Sequence, residues 1–361
     1  MRAGSYGGGA VAAPPAVVPD ATALQAALDR VTATGAVAEV RQGDAVWRGS
    51  SGKARLDGRQ PAPVDGRFRA GSVTKTFTAT VVLQLVGEGR LRLSDTAERW
   101  LPGLVPAPGG DRITVRDLLQ HASGLPEYTD GLLDGDAPPR DRFRTWTPAE
   151  LVRRAVKDGD RNRPLLFPPG TGHHYSNTDY IVLGMIVEKV TGRSYRTEID
   201  RRIIRPLGLR DTRLPGSSPF LTGPHSHGYE PVEKEDGTLV PVDYTSVNMS
   251  VAGAAGEIIS TTADLDRFFR TLLSGGLLRP AELREMTADT SGGGWGLGLE
   301  MATLPCGTIV GHGGGTPGYR TISFHALDGT RQVTVDWTDW GTDADASPAA
   351  LALMTAALCP S

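Results

Sequence analysis

Lysine is nearly absent from this chain. Of 38 basic side chains only five are lysines, Lys53, Lys75, Lys157, Lys189 and Lys234, and the rest are arginines. Arginine keeps its proton under ordinary conditions, whereas lysine can release it where the surroundings are hostile to charge. Cysteine is rarer still, with only Cys306 and Cys359, so no cysteine cluster can hold a metal. No H-E-x-x-H pattern occurs, and the two histidine groupings, His173-His174 and His225-x-His227, read as solvated loop residues rather than zinc ligands. Long apolar runs are missing: AALALMTAAL near the C-terminus is about half the ~18 residues that a membrane-spanning helix needs. Runs of Lys and Arg are missing too. The net charge is −3 and the pI near 6.2, which argues against a nucleic-acid or anionic-membrane partner. A G-x-S-x-G elbow is absent, which excludes the α/β-hydrolase route to a serine nucleophile.

What is present is an ordinary globular composition, 39% hydrophobic and 22% charged, in 361 residues, enough for one large domain or two. The N-terminal MRAGSYGGGAVAAPPAVVPD lacks the apolar stretch of a complete signal peptide and resembles the start of a mature secreted protein. Residues 1–18 are expected to be poorly ordered or loosely docked. Residues 21–33 read as a helix, and GAVAEVRQGDAVWRGSSGKA after it as a hairpin turning at Gly-Asp. Near the other end, GTIVGHGGGTPGYRTISFHALDGTRQVTVDWTDW gives three strand-like runs, and residues 349–358 a closing helix. Between these ends the helical pattern dominates, over 72–88, 114–121, 148–158, 177–192, 195–204 and 262–274. Strands at both ends with helices between predict an α/β fold of the α+β type. One antiparallel sheet would be built from residues 19–80 and 250–361, with a mainly helical region over 81–249 and a site at their interface.

Three short patterns carry chemistry. In FRAGSVTKTFTATVVLQLVGEGRL (68–91) Ser72 is placed as the N-cap of a helix, and Lys75 stands in its first turn, where the dipole disfavours a cation. Residues i and i+3 share a helix face, so the amine can reach the Ser72 hydroxyl and, if burial makes it neutral, accept its proton. In FPPGTGHHYSNTDYIVLG (167–184), Tyr175 and Asn177 sit on a loop entering a helix. Tyr175 is a candidate general base or proton relay if a nearby cation lowers its pKa, and Asn177 offers a donor and an acceptor to an amide. In VGHGGGTPGYRTISF (310–324), His312 precedes Gly313, Gly314 and Gly315 at the start of a strand, where glycines permit close approach of a ligand.

In this order and spacing the three patterns resemble the signature of the active-site serine penicillin-interacting hydrolases: S-x-x-K, then Y-x-N, then H-x-G on a strand. The chain is similar to the branch holding class C β-lactamases, secreted actinomycete DD-carboxypeptidases, and related esterases and D-aminopeptidases. RDLLQHASGLPEY (116–128), GEIISTTADLDRFF (256–269), WGLGL (295–299) and GHGGGTPGY (311–319) extend the likeness from about residue 20 to the end. The resemblance implies a β-lactamase/transpeptidase-like fold with Ser72 as the acylated nucleophile. It makes Lys75 and Tyr175 the proton shuttle, and Asn177 and His312 substrate-binding. The backbone N–H groups of Ser72 and Gly315 form the oxyanion hole. It implies hydrolysis of the acyl-enzyme by water with no metal or organic cofactor, and acylation of Ser72 by β-lactams. It further implies a Cys306–Cys359 bridge in a secreted, extracellular protein. In the chain-entropy model that bridge is worth on the order of 4 kcal/mol.

Two departures bear on specificity. The middle residue of the third pattern is Gly313, so a hydroxyl that helps bind a substrate carboxylate is missing. Where the resembling carboxypeptidases place an arginine for the terminal carboxylate, six residues before the first cysteine, this chain has Glu300; Arg320 is the candidate compensating cation. The expected activity is D-alanyl-D-alanine carboxypeptidase-like, with an esterase, amidase or D-amino-acid-specific peptidase as the alternative. A β-lactamase and an inactive penicillin-binding relative rank behind these. The substrate is a small peptide, amide or ester. Lys75→Arg is expected to fold and to lose acylation.

Overall fold

The computed structural model describes residues 20–130, 132, 142–234, 236–290, 292–338 and 346–359. The expectation for residues 1–18 lies outside them. An antiparallel sheet of six strands joins the two ends of the chain. Its strands are β1 (Gly35–Gln42), β2 (Ala45–Gly52), β3 (Glu300–Leu304), β4 (Gly307–Thr316), β5 (Tyr319–Ala326) and β6 (Arg331–Thr338), in the order β2-β1-β6-β5-β4-β3. The β1–β2 hairpin turns at Gly43-Asp44, as the alternation and the Gly-Asp pair suggest. β3 was not legible as a strand, because five residues with three half-exposed and two exposed positions make a weak pattern. The same holds for an outlying hairpin, Tyr229–Glu233 with Leu239–Asp243.

Both faces of the sheet are covered. Helices α1 (Ala21–Leu28) and α6 (Ala346–Leu358) lie on one face, packing Leu24, Leu28 and Leu353 against Ala36, Ala38, Val40, Val333 and Val335. On the other face stands the main core, with α2 (Thr74–Gly87), α3 (Val115–Leu119), α4 (Asn177–Thr191) and α5 (Thr262–Leu273). Alternation along β1 follows from this: Val37 belongs to the main core, and its neighbours Ala36 and Ala38 to the terminal helices. Cys306 and Cys359 are bridged, tying the end of α6 to the β3–β4 turn across 53 residues with Cα atoms 5.4 Å apart.

Helix α2 lies inside the core. It is buried nearly all round, including Thr74, Lys75, Thr76, Thr78 and Thr80, as befits a helix inside a large core. Buried hydroxyls on it are satisfied by carbonyls of other segments: Thr76 Oγ1 donates to Gly298 O (2.8 Å) and Thr78 Oγ1 to Ala254 O (2.9 Å). Most predicted ends shift by a turn or less, but the first helix, expected over 21–33, stops at Leu28. Residues 148–158 form a helix only over Pro148–Val156, after which Lys157–Asp158 is extended. Residues 195–204 split into Tyr195–Ile199 and a wider turn over Asp200–Ile204.

Candidate active site

Ser72 is not the N-cap of α2. It sits one residue before the N-cap Val73, inside a 3-10 turn over Gly71–Val73, and the α-helix begins at Thr74 with no side-chain cap. The reason is Gly71, whose φ of 53° bends the chain in the left-handed region that glycine tolerates. A Cβ at Gly71 would stand 2.7 Å from Gly315 N, and one at Gly314 would stand 2.1 Å from Ala70 O and 3.4 Å from Ser72 N. The serine turn and β4 are therefore pressed backbone to backbone. This lays the Ser72 amide beside the Gly314–Gly315 stretch, where backbone donors stabilise a developing oxyanion.

Lys75 follows on the same face. Its Nζ donates to Ser72 Oγ (3.0 Å), Asn177 Oδ1 (2.6 Å) and Ala255 O (2.9 Å). The side chain is fully buried. Loss of solvation pulls its pKa down to about 7, although the charges of Glu127, Glu300 and Asp179 favour the ammonium. A rare lysine is thus spent where an amine must change charge near neutral pH.

Tyr175 corrects an expectation. Its phenol lies beside the Ser72 side chain, and the Lys75 Nζ lies 4.8 Å from its ring centroid, yet burial pushes the phenol far up rather than down. The nearby cation does not outweigh desolvation, so the group is a neutral phenol able to pass a proton rather than a phenolate base. Asn177 opens α4. Its Oδ1 holds Lys75, while its backbone N (2.7 Å) and Nδ2 (3.0 Å) donate to Glu127 Oε2.

His312 lies in β4, almost fully buried. Its Nδ1 stands 2.5 Å from Gly313 O and 3.1 Å from Glu300 Oε1, and burial lowers its pKa. Glu300 begins β3, and its Oε1 also accepts the Gly313 N–H at 2.9 Å. Arg320, paired across β4–β5 with Gly315, donates through Nη1 to Thr316 O (2.7 Å) and Tyr319 O (3.1 Å). That nitrogen is committed to the turn.

Several site residues were not singled out in the sequence. Glu127 accepts the backbone N–H groups of Tyr128 (2.8 Å) and Thr129 (2.9 Å) through Oε1, which leaves Oε2 on Asn177. His121, at φ 58°, sets its ring 4.4 Å from that of Tyr175, with Asp179 Oδ2 2.9 Å from Nδ1. Trp295 packs against Tyr175 at 5.4 Å and His312 at 5.8 Å. His173, read as a solvated loop residue, is exposed but lies 5.4 Å from Trp295, nearly parallel. His225 and His227 are half-buried and stacked on each other, with His227 on Asp243. The signal was present, because 116–128 and 295–299 are stretches of family likeness that contain His121, Glu127 and Trp295. A list of types does not say which of them face a cleft.

Residues 21–356 match the family described as Beta-lactamase. This chain belongs to the beta-lactamase family. Within it, the chain is 31% identical over 329 residues to the esterase EstB of Burkholderia gladioli, covering 79% of this chain and 81% of that one. It is 30% identical to penicillin-binding protein 4* of Bacillus subtilis (strain 168) across 81% of this chain, but spans 65% of that protein's length. Among solved structures, the D-stereospecific amidohydrolase from Streptomyces sp. superposes with a TM-score of 0.83 at 38% identity over 95% of this chain and 100% of its own. The D-amino acid amidase from Ochrobactrum anthropi SV3, complexed with L-phenylalanine amide, superposes with a TM-score of 0.79 at 26% identity over 93% and 97%. The beta-lactamase-family fold and serine-hydrolase kinship are thus shown.

Proposed function

We propose that this protein is a serine amidohydrolase that cleaves amides and short peptides of D-amino acids bearing a free α-amine, through an ester on Ser72. The observation that carries the reading is the charge of the site. Glu127 and Glu300 stand at its two ends, while Lys75 loses its proton near pH 7 and burial keeps His312 neutral. An anionic site favours an ammonium-bearing substrate and disfavours a free terminal carboxylate. The carboxypeptidase expectation meets a carboxylate, not a cation, beside Gly313. Likeness to a D-stereospecific amidohydrolase and a D-amino acid amidase supports the same direction.

In this reading the Ser72 Oγ bonds to the substrate carbonyl carbon as its proton passes to the neutral Lys75 amine. The negative oxygen rests on the N–H groups of Ser72 and Gly315. The C–N bond then breaks, and the departing nitrogen takes the proton of the Tyr175 phenol, which Lys75 resupplies. Water splits the ester by the reverse use of the same groups, returning the Ser72 hydroxyl and the free acid. Asn177, fixed by Glu127, orients the acyl side. The disulfide suits residence in an oxidising compartment outside the cell.

Glu127 gives the test. Glu127→Gln should reduce kcat/KM for D-phenylalanine amide by ~10-fold or more beyond its loss on N-acetyl-D-phenylalanine amide, because both substrates lose the support of Asn177 but only the first presents a charge to the lost carboxylate. Equal loss on both substrates, or indifference of the wild type to the free amine, would defeat the reading.

A further inference from the structure

The group that leaves the substrate must collect a proton, and the acid beside Ser72 is the Tyr175 phenol. Tyr175 faces His312, with ring centroids 6.4 Å apart, so the leaving group lies between Ser72 and the His312–Gly313 stretch of β4. The edge of β4 is open there, because pairing with β3 stops at Gly311↔Glu300. An open edge presents backbone donors to a ligand. The Gly313 donor is already taken: Glu300 reaches around the end of its strand, places Oε1 2.9 Å from Gly313 N, and stands 3.1 Å from His312 Nδ1. The Glu300 side chain is 31% exposed, so its charge meets whatever enters. His312 does not cancel that charge at neutral pH, since burial lowers its pKa. Gly313 puts nothing between, and even a Cβ there would remain 3.5 Å from the Glu300 oxygen.

We infer that Glu300 is a resident carboxylate on the leaving-group side, which makes the site release neutral or cationic groups and reject leaving groups that carry a free carboxylate. The inference rests on the acyl-enzyme reading and narrows its substrates to primary amides, amidated peptides and leaving groups with an amine. It does not depend on Glu127 or on the α-amine, which belong to the acyl side.

The test uses two substrate pairs that differ only by a carboxylate on the leaving group. One pair is 4-acetoxybenzoate and its methyl ester; the other is D-phenylalanyl-D-alanine and its C-terminal amide. Each is measured with wild-type protein, Glu300→Gln and Glu300→Ala. Glutamine keeps an acceptor for the Gly313 N–H while removing the charge. The ratio of kcat/KM, carboxylate over neutral, should rise roughly 10-fold or more in Glu300→Gln. In the wild type the same ratio should improve with added salt as the repulsion is screened. Ratios that match in wild type and both variants overturn the inference. Turnover of the esters without turnover of the D-amino-acid pair would defeat the proposed substrate class, and the ester ratio would still decide the role of Glu300.

Discussion

Lys75→Met should fold and lose Ser72 acylation by ~10³-fold or more, the scale of a lost general base. Methionine matches the length of the buried stem but carries no proton acceptor. The arginine variant, expected from sequence alone to fold, is a poorer probe. Position 75 is fully enclosed and its amine already meets three acceptors, so a larger permanent cation adds strain and unrelieved charge. The methionine variant separates chemistry from folding, and burst-phase acylation by a p-nitrophenyl ester reads it. Linkage supplies a second signature. Because the folded-state pKa of Lys75 lies near 7 and the unfolded value near 10.5, the unfolded chain binds the extra proton between those values. Stability therefore rises with pH across that window through this group, on the order of 1.4 kcal/mol per unit. Lys75→Met should remove that rise.

Gly314→Ala carries the second large effect. Of the three consecutive glycines, only Gly314 would drive a Cβ into backbone, 2.1 Å from Ala70 O, and neither partner is the flexible end of a side chain. β4 and the serine turn must separate, which withdraws one oxyanion donor from the other. The expected loss is ~10²–10³-fold in kcat, the scale of one oxyanion donor removed. A Cβ at Gly313 or Gly315 meets nothing closer than 3.5 Å and 3.8 Å, so those two alanine variants should retain most activity. A Gly314→Ala variant as active as the other two would contradict the backbone contact.

These predictions also mark what the sequence could carry. Spacing alone placed the Ser72–Lys75 pair, because i,i+3 contact is a property of the helix itself, and Gly-rich punctuation located β1, β2, β4, β5 and β6. Glu300 was reached only by counting from a cysteine. Its orientation toward Gly313 depends on β3 ending where β4 continues, which no local pattern encodes. The pKa of Tyr175 ran opposite to the expected direction because enclosure by His121, Trp295 and its own loop outweighs the single amine beneath the ring. Glu127 escaped notice because its task is defined by Asn177, distant in the chain though adjacent in space.

The central claim is that Lys75 is an amine poised to be neutral. The most direct measurement is a carbon-13 NMR titration of lysine ε-carbons in the intact protein, with Lys75 assigned by its absence in Lys75→Met. The account predicts one of five lysine signals titrating near pH 7, in step with the acylation rate. A Lys75 signal that stays charged until about pH 10 while Ser72 acylates normally at pH 7 would contradict it.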